Sequence, residues 1–212
     1  MSVPNDPDHV LAAVERCDRF LVQQVFRPIA NEYRISVPAL GATEEGEPIL
    51  FVKQKRLAIR EDIRFRLAPD DGPHLFMIRA KTVFEFRGRH EVLDSEGAVL
   101  GLLEKDFSRS LLRSHWHVRD PDGTELFEGY EANMLIAVVR RFAGFVSDWL
   151  SVLQWLPFNI LLTRDGQQVG SYRRVLGHLR DRYVLELGPG LEGVDRRLVL
   201  AFAVALDALQ DR

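Results

Sequence analysis

The amino-acid sequence predicts a mainly β (α+β) fold in which antiparallel hairpins surround one buried helix. The first observation is an unbroken apolar run of nine residues, 198–206, near the end of the chain. The second is a repeated turn signal, since Gly72, Gly97 and Gly123 follow one another at intervals of 25 and 26 residues. The third is an alternation of apolar and charged side chains between these turns, which is the period of a half-buried strand. Together these observations indicate a β-rich container around a helix.

The bulk composition limits the class of protein. The chain has 212 residues, a formal net charge of −3, 46% hydrophobic residues and 28% charged residues, which is an ordinary globular composition. This slightly acidic balance argues against a nucleic-acid partner, because such binders usually carry a strongly basic surface. Cys17 is the single cysteine, so no internal disulfide framework is possible and a reducing cytoplasm is the expected compartment.

No targeting or membrane-spanning segment is predicted. The first ten residues lack the basic stretch and the following apolar stretch of a signal peptide. No apolar run reaches the length of about 18 residues that a spanning helix requires. No stretch is rich enough in Pro, Gly and Ser to act as a linker, so we expect residues 1–212 to form a single domain.

The N-terminal segment, residues 1–19, is predicted to form a short amphipathic helix. Asp8 is suited to cap this helix, because its carboxylate can accept hydrogen bonds from the first turn. Apolar residues then recur at helical spacing. They are Val10, Leu11, Val14 and Cys17. Two strands are expected next, FLVQQVF and EYRISV, separated by the breaker Pro28.

Residues 49–133 are predicted to form a meander of hairpins. Turn signals occur at residues 68–73, 93–97 and 119–123, where acidic residues precede a glycine that tolerates a positive φ. In the segment IRFRLA, which begins at Ile63, apolar and arginine side chains alternate. One face of this strand is therefore expected in the core and the other face outside.

The last third of the chain is predicted to hold two helices separated by strands. Residues 134–155 carry apolar side chains at positions i, i+3 and i+4, which is typical of an amphipathic helix. Three strands are expected next, at FNILLT, QQVGSYRR and RYVLEL. The terminal helix, residues 194–209, is apolar on every side over a length of only about 14 Å, roughly half of a bilayer's hydrocarbon core. We therefore expect this helix to be the buried centre of the protein.

No catalytic site is predicted. The sequence lacks the motifs GxSxG, HExxH and GxGxxG and has no P-loop, and Cys17 occupies an apolar position where cysteines are inert. His115 and His117 would share one face of a strand and could reach one metal ion. A third ligand would have to come from elsewhere. The candidates are His74, His90 and His178. Because two histidines complete no tetrahedral site, we expect solvent-facing histidines, no metal and no cofactor.

Basic residues spaced by two along the predicted strands indicate a lipid-binding surface. Each pair projects from one face of its strand, and neighbouring strands could align the pairs into a cationic stripe that meets anionic headgroups. The amphipathic helix adds two adjacent arginines. The candidate lipid-binding residues are Lys53, Lys55, Arg64, Arg66, Arg79, Lys81, Arg140 and Arg141. The alternative is an ordinary solvated surface with the helix packed against the barrel, since charges on the outer face of a strand need no partner.

Several motifs resemble the LURP-one-related pattern. They are Val52-Lys53-Gln54-Lys55, the turn from Asp70 to Gly72, the strand Arg79-Ala80-Lys81 and the hairpin from Val92 to Gly101. The end of the chain, RDRYVLEL followed by DRRLVLAFAVALDAL, is similar to the closing strand and helix of the phospholipid scramblase family. Both resemblances imply the tubby C-terminal-like fold. This fold is a closed antiparallel barrel of about twelve strands threaded by a hydrophobic C-terminal helix, and closure leaves no sheet edge unpaired.

The same resemblance sets the functional expectations. It implies a non-enzymatic barrel, cytoplasmic or peripheral at a membrane, whose partner is anionic phospholipid. A soluble scaffold that binds a protein partner is the alternative, and a metal-dependent enzyme using His115 and His117 is a more remote one. The loop at 188–195 offers only Glu192 and Asp195 as acidic residues, whereas Ca²⁺ takes six or more oxygen ligands. Calcium-driven lipid scrambling is therefore not implied by this sequence.

Overall fold

Two helices and twelve strands make up the part of the chain that the structure describes. The computed structural model describes residues 6–26, 30–38, 46, 48–55, 62–69, 72–80, 88–106, 115–132, 159–175 and 182–209. The helices are α1 (Pro7–Glu15) and α2 (Arg196–Ala208). The strands are β1 (Arg19–Phe26), β2 (Ala30–Ser36), β3 (Pro48–Lys55), β4 (Asp62–Arg66), β5 (His74–Ala80), β6 (Arg89–Asp94), β7 (Val99–Lys105), β8 (His115–Arg119), β9 (Glu125–Glu131), β10 (Asn159–Arg164), β11 (Gln167–Val175) and β12 (Arg182–Leu187).

The twelve strands close into one antiparallel barrel. Each strand pairs with its neighbour in the chain, and β1 pairs with β12 to close the sheet, with Phe20 opposite Leu185. Closure removes the unpaired strand edges that can recruit other chains. The predicted fold class, a mainly β closed barrel of about twelve strands with a hydrophobic C-terminal helix, is confirmed.

Local turn chemistry explains two of the predicted hairpins. Gly97, between β6 and β7, has a φ of 92°, and Gly123, between β8 and β9, has a φ of 91°, a region that glycine enters without steric cost. The carboxylates of Asp94 and Asp120 each accept a hydrogen bond of 2.8 Å from the backbone N–H four residues later. These aspartate and glycine positions fix where each hairpin reverses and therefore which strand residues become neighbours.

The C-terminal helix α2 belongs to the hydrophobic core over almost its whole length. Every residue from 198 to 206 is at most 1% exposed. The ring of Phe202 packs edge-on against Phe127 of β9, with 5.4 Å between the ring centroids. The inward side chains of the strands surround the helix on all sides, which explains why its sequence shows no polar face.

Polar contacts hold both ends of α2. At the start, the Asp195 side chain accepts from the Arg197 N–H, and the buried Arg196 guanidinium donates to Asp18 at 2.8 Å and to a backbone carbonyl. Near the end, the Asp207 carboxylate accepts from the hydroxyl of Tyr33 at 2.8 Å and from a second tyrosine, Tyr183 of β12, at 3.1 Å. These contacts fix the depth of the helix in the barrel.

The N-terminal helix differs from the prediction in its cap and its length. Asp6, not Asp8, caps α1: its side chain accepts from the N–H of Asp8, and Pro7 occupies the first helical position. Proline is favoured there because its missing N–H and fixed φ suit the first turn. The helix ends at Glu15, so Cys17 lies beyond it, where burial and the neighbouring Asp18 raise the pKa of the thiol.

The predicted helix at residues 134–155 lies outside the described residues. In the part of the chain that the structure does describe, no helix combines the length and the mean hydropathy needed to cross a bilayer.

Candidate functional site

One member from each of three basic pairs in the sequence, Lys53, Arg64 and Arg79, lies on the outer surface of β3, β4 or β5. Lys53 of β3 is the register partner of Arg64 in β4. Arg79 follows on β5, opposite Asp62 at the start of β4. Arg66 lies opposite Phe51, which on its other side faces an arginine of β2, Arg34. We call Arg34, Lys53, Arg64, Arg66 and Arg79 the basic face.

Exposure separates the predicted lipid-binding residues into two groups. Arg79 is exposed, Lys53 is half-buried and the side chain of Arg64 is 42% exposed. Arg66 is only 6% exposed, contrary to its expected exposed place on the outer surface; it lies between Phe51 of β3 and His74 of β5, next to a bulge in the β4–β5 pairing. Three other candidates lie outside the described part of the chain: Lys81, Arg140 and Arg141. For Lys55, at the end of β3, only the backbone is described.

Acidic residues reduce the charge of the basic face without cancelling it. Asp62 lies 3.5 Å from the Arg64 guanidinium. Glu32 is the register partner of Lys53 on β2, and Glu91 is the register partner of Arg79 on β6. The face therefore combines five basic residues with these three acidic neighbours, which is a moderate positive charge of the kind that salt screens readily.

The pKa of His74 is affected by the charges of the basic face. Burial lowers the pKa of this imidazole below its ordinary value, and the charges of Arg64, Arg66 and Arg79 lower the pKa further, against the opposing influence of Asp62. Cations disfavour a further positive charge, so the imidazole at the start of β5 lies in a net positive potential.

Two recesses adjoin the basic face. A shallow groove runs between Arg34, Phe51 and Lys53. Beside it lies a cavity of about 310 Å³ whose walls are largely apolar. Its lining residues include Pro7, Leu67, Pro73, Leu75 and His74. Arg66 contributes to the lining of both recesses. Cations next to an apolar recess suit an amphiphile whose head carries negative charge.

A second cluster of functional groups lies on the outer surface of β7, β8 and β9. Trp116 and Val118 of β8 belong to the core, so His115 and His117 share the opposite face, with 4.7 Å between their ring centroids. Glu128 of β9 is the register partner of His117. Asp106 directly follows β7, and its N–H donates to the backbone carbonyl of His115 at 2.9 Å.

Carboxylates contact both histidines of this cluster. His117 Nδ1 lies 2.7 Å from Glu125, and His115 Nε2 lies 3.3 Å from Glu128. Asp106 Oδ2 faces the other ring nitrogens, 3.6 Å from His115 Nδ1 and 3.9 Å from His117 Nε2. The two histidines are mostly buried, with side chains 3% and 18% exposed, contrary to the expected solvent-facing position.

Glu128 has a perturbed acidity. Burial raises the pKa of its carboxyl, but the hydrogen bond from His115 and the charges of the two histidines outweigh burial and lower the pKa overall. The ionised carboxylate is therefore the favoured form next to the histidines.

The acidic members of the cluster are candidate site residues that the sequence pattern did not single out. Among the residues that the structure describes, Asp106 is near enough to share one ion with both histidines, and Glu125 and Glu128 are near enough to share one with His117, whereas His74 and His90 belong to neither group. The turn at 119–123 was a usable signal, because it pairs β8 with β9 and so places Glu128 beside His117. The position of Asp106 depends on a loop contact that the sequence pattern does not show.

Comparison with known proteins agrees with the fold. No curated protein sequence matches the chain. The family model described as LURP-one-related matches residues 49–207, which run from β3 into the last turns of α2 and make up well over half of the chain. This family is part of the tubby-like/scramblase superfamily, in keeping with a closed barrel and a buried C-terminal helix. The chain therefore belongs to the LURP-one-related family.

Proposed function

We propose that this protein is a non-enzymatic barrel that binds anionic phospholipid headgroups at a cytoplasmic membrane surface through its basic face. The observation that carries the proposal is the strand register, which places Lys53 directly opposite Arg64 and sets Arg79 on the next strand. Side chains directly opposite one another on antiparallel strands lie about 5 Å apart at Cβ, so two cations can contact one phosphate group.

The electrostatics of this surface support an anionic ligand. Beyond the larger effect of burial, the charges of Arg64, Arg66 and Arg79 lower the pKa of His74, which supports a net positive potential where β4 and β5 meet. The cavity of about 310 Å³ beside Arg66 offers apolar walls next to that potential. A phospholipid has this combination, since glycerol joins its charged phosphate to apolar acyl chains.

The expected affinity is modest. Each Lys or Arg close to an anionic bilayer contributes about 1 kcal/mol, so the accessible cations Arg34, Lys53, Arg64 and Arg79 together contribute roughly 4 kcal/mol before losses to their acidic neighbours. Such binding is electrostatic and falls as salt rises above the physiological range. The protein is therefore expected to bind membranes reversibly.

The test is flotation of the full chain with phosphatidylserine-containing vesicles at low salt. The double variant Lys53→Gln/Arg64→Gln removes the central pair, and we expect its partition coefficient to fall about 30-fold, which corresponds to about 2 kcal/mol. The matched control is Arg16→Gln/Arg173→Gln, because Arg16 and Arg173 are exposed and lie at the end of α1 and on β11, away from the basic face. The control should bind as the unmodified protein does.

Two results would overturn the proposal. The first is failure of the unmodified chain to float with anionic vesicles at low salt. The second is an equal loss of binding in the two double variants, which would show that only overall charge matters. Binding of a protein instead of vesicles to this face would favour the scaffold alternative.

A further inference from the structure

The cluster of Asp106, His115 and His117 has the composition of a transition-metal site. Imidazole nitrogen and carboxylate oxygen are ligands that Zn²⁺ and its neighbours in the first transition row accept, whereas Ca²⁺ and Mg²⁺ prefer oxygen ligands throughout. One potential ligand atom from each of the three side chains lies within 4.8 Å of those from the other two. The three residues come from β8 and from the end of β7, two strands that pair directly.

The spacing of the three ligand atoms fits one bound ion better than it fits hydrogen bonds. Asp106 Oδ2 lies 3.6 Å from His115 Nδ1 and 3.9 Å from His117 Nε2. Both distances exceed a good hydrogen bond, whose heavy atoms lie about 2.7–3.2 Å apart. Ligands about 2.1 Å from a tetrahedral ion lie about 3.4 Å from one another. Small side-chain adjustments would therefore bring all three atoms onto one ion.

The glutamates hold the imidazoles in the tautomers that such an ion needs. Glu125 accepts from His117 Nδ1 at 2.7 Å, and Glu128 is positioned to accept from His115 Nε2 at 3.3 Å. A proton on each of these nitrogens leaves the lone pair on the other ring nitrogen, on the side of Asp106. The second ring nitrogen of a metal-binding histidine usually donates its N–H to a carboxylate or carbonyl in this way, which orients the ring and raises its basicity.

We propose that Asp106 Oδ2, His115 Nδ1 and His117 Nε2 bind one divalent transition-metal ion on the outer surface of β7 and β8, with Zn²⁺ as the reference ion. Glu125 and Glu128 are positioning residues that act through the histidines. The two histidine side chains are 3% and 18% exposed, so the ion would be largely shielded from water. Three protein ligands leave a fourth tetrahedral position that water or an exogenous ligand can take.

The first experiment titrates Zn²⁺ into the chelator-stripped full chain and follows heat and the thermal midpoint. We expect saturable binding of one ion per chain and a rise in the midpoint, because an ion that binds only the folded state stabilises it. Ca²⁺ at the same concentration should neither bind nor compete. Co²⁺ in place of Zn²⁺ should give visible absorption bands of the intensity that four-coordinate sites show.

Variants assign the site to these residues. Asp106→Asn and His117→Gln each change a partly exposed side chain and should abolish the high-affinity event, and circular dichroism checks that both fold. Glu125→Gln keeps the ligands but removes a positioning carboxylate, so a weakening of about 10- to 100-fold is expected. His74 lies beside the basic face and Cys17 lies beyond α1, and the controls His74→Gln and Cys17→Ser should both bind Zn²⁺ as the unmodified chain does.

A nuclear magnetic resonance measurement tests the proposal without any variant. Long-range proton–nitrogen spectra distinguish the two ring nitrogens, so Zn²⁺ should shift Nδ1 of His115 and Nε2 of His117 to the values of metal-bound nitrogen. The idea is wrong if no 1:1 binding occurs, if binding survives both Asp106→Asn and His117→Gln, or if the resonances of other histidines move instead. In each of these cases the two histidines contact the carboxylates without a metal ion between them.

Discussion

At the scale of single residues, His90 shows how burial in the barrel disfavours the charged form of a side chain. It lies on β6 opposite the core residue Leu103, and its ring lies 6.5 Å from the ring of Trp116. Burial lowers the pKa of His90 from 6.5 to about 4, and the nearby charge of Lys105 adds to this effect. The imidazole is therefore neutral in the folded protein at pH values where an unfolded chain already binds the proton.

This difference makes stability depend on pH in a defined direction. Between pH 6.5 and about 4 the unfolded state binds a proton at His90 and the folded state does not, so the free energy of unfolding falls as the pH falls. This residue lowers the free energy of unfolding by roughly 3 kcal/mol across the window. We expect His90→Gln to flatten the loss of stability in this window, measured by urea unfolding at a series of pH values.

A control variant and a direct titration test the prediction for His90. His9 is exposed on α1, so His9→Gln should keep the pH dependence of the unmodified chain. The carboxylates contribute equally to all three proteins below about pH 5, so the difference between variants isolates His90. A nuclear magnetic resonance titration that gives His90 a pKa near 6.5 would contradict the prediction.

At the scale of elements, the contact between β9 and α2 depends on a missing side chain. A Cβ on Gly129 would overlap the ring of Phe202 and lie 3.0 Å from its Cε2 atom. Phe202 is fully buried and packs against Phe127, so its ring has little room to retreat. Glycine at this position therefore lets a large aromatic residue of the helix approach the barrel wall.

We expect Gly129→Ala to destabilise the protein by about 1–3 kcal/mol or more in urea unfolding, because the core would be overpacked. Gly72→Ala is the matched control. A Cβ at Gly72 meets no atom within 4 Å and its φ is not positive, so this change should be neutral or stabilise slightly. Replacing the ring with a smaller side chain, Phe202→Leu, should reduce the destabilisation that Gly129→Ala causes. If the free-energy costs of the two substitutions simply add, the overlap with the ring is not the cause of that destabilisation.

The elements also show what the sequence could and could not predict. The turns at Gly97 and Gly123 and the apolar run of α2 were readable because each depends on a local pattern. Register across strands is different, since a single bulge changes which side chains meet. Arg66, next to a bulge, is buried although spacing alone placed it on the surface, and Asp106, directly after the end of β7, brings a carboxylate to His115. For this reason the basic face was predictable in part, and of the histidine–carboxylate cluster only the shared face of His115 and His117 was predicted.

At the scale of the whole molecule, the barrel extends beyond the segment that the family model matches. The match begins at residue 49, inside β3, and so leaves out β1 and β2. These two strands join β12 to β3 and complete the ring of strands. They also supply fully buried core residues such as Phe20 and Ile35. The N-terminal strands are therefore as much part of the fold as the matched segment.

Removal of the first 48 residues should accordingly prevent formation of a stable barrel. The chain 49–212 would leave β3 and β12 as unpaired edges, would expose the apolar surface of α2, and would lack the Tyr33 hydroxyl that donates to Asp207. We expect this chain to aggregate in size-exclusion chromatography and to unfold without cooperativity in urea. The control is the chain 6–212, which keeps α1 and every strand that the structure describes and should unfold as the full chain does. A monomeric 49–212 chain with a cooperative transition would show instead that β3 and β12 can close the barrel around α2 by themselves.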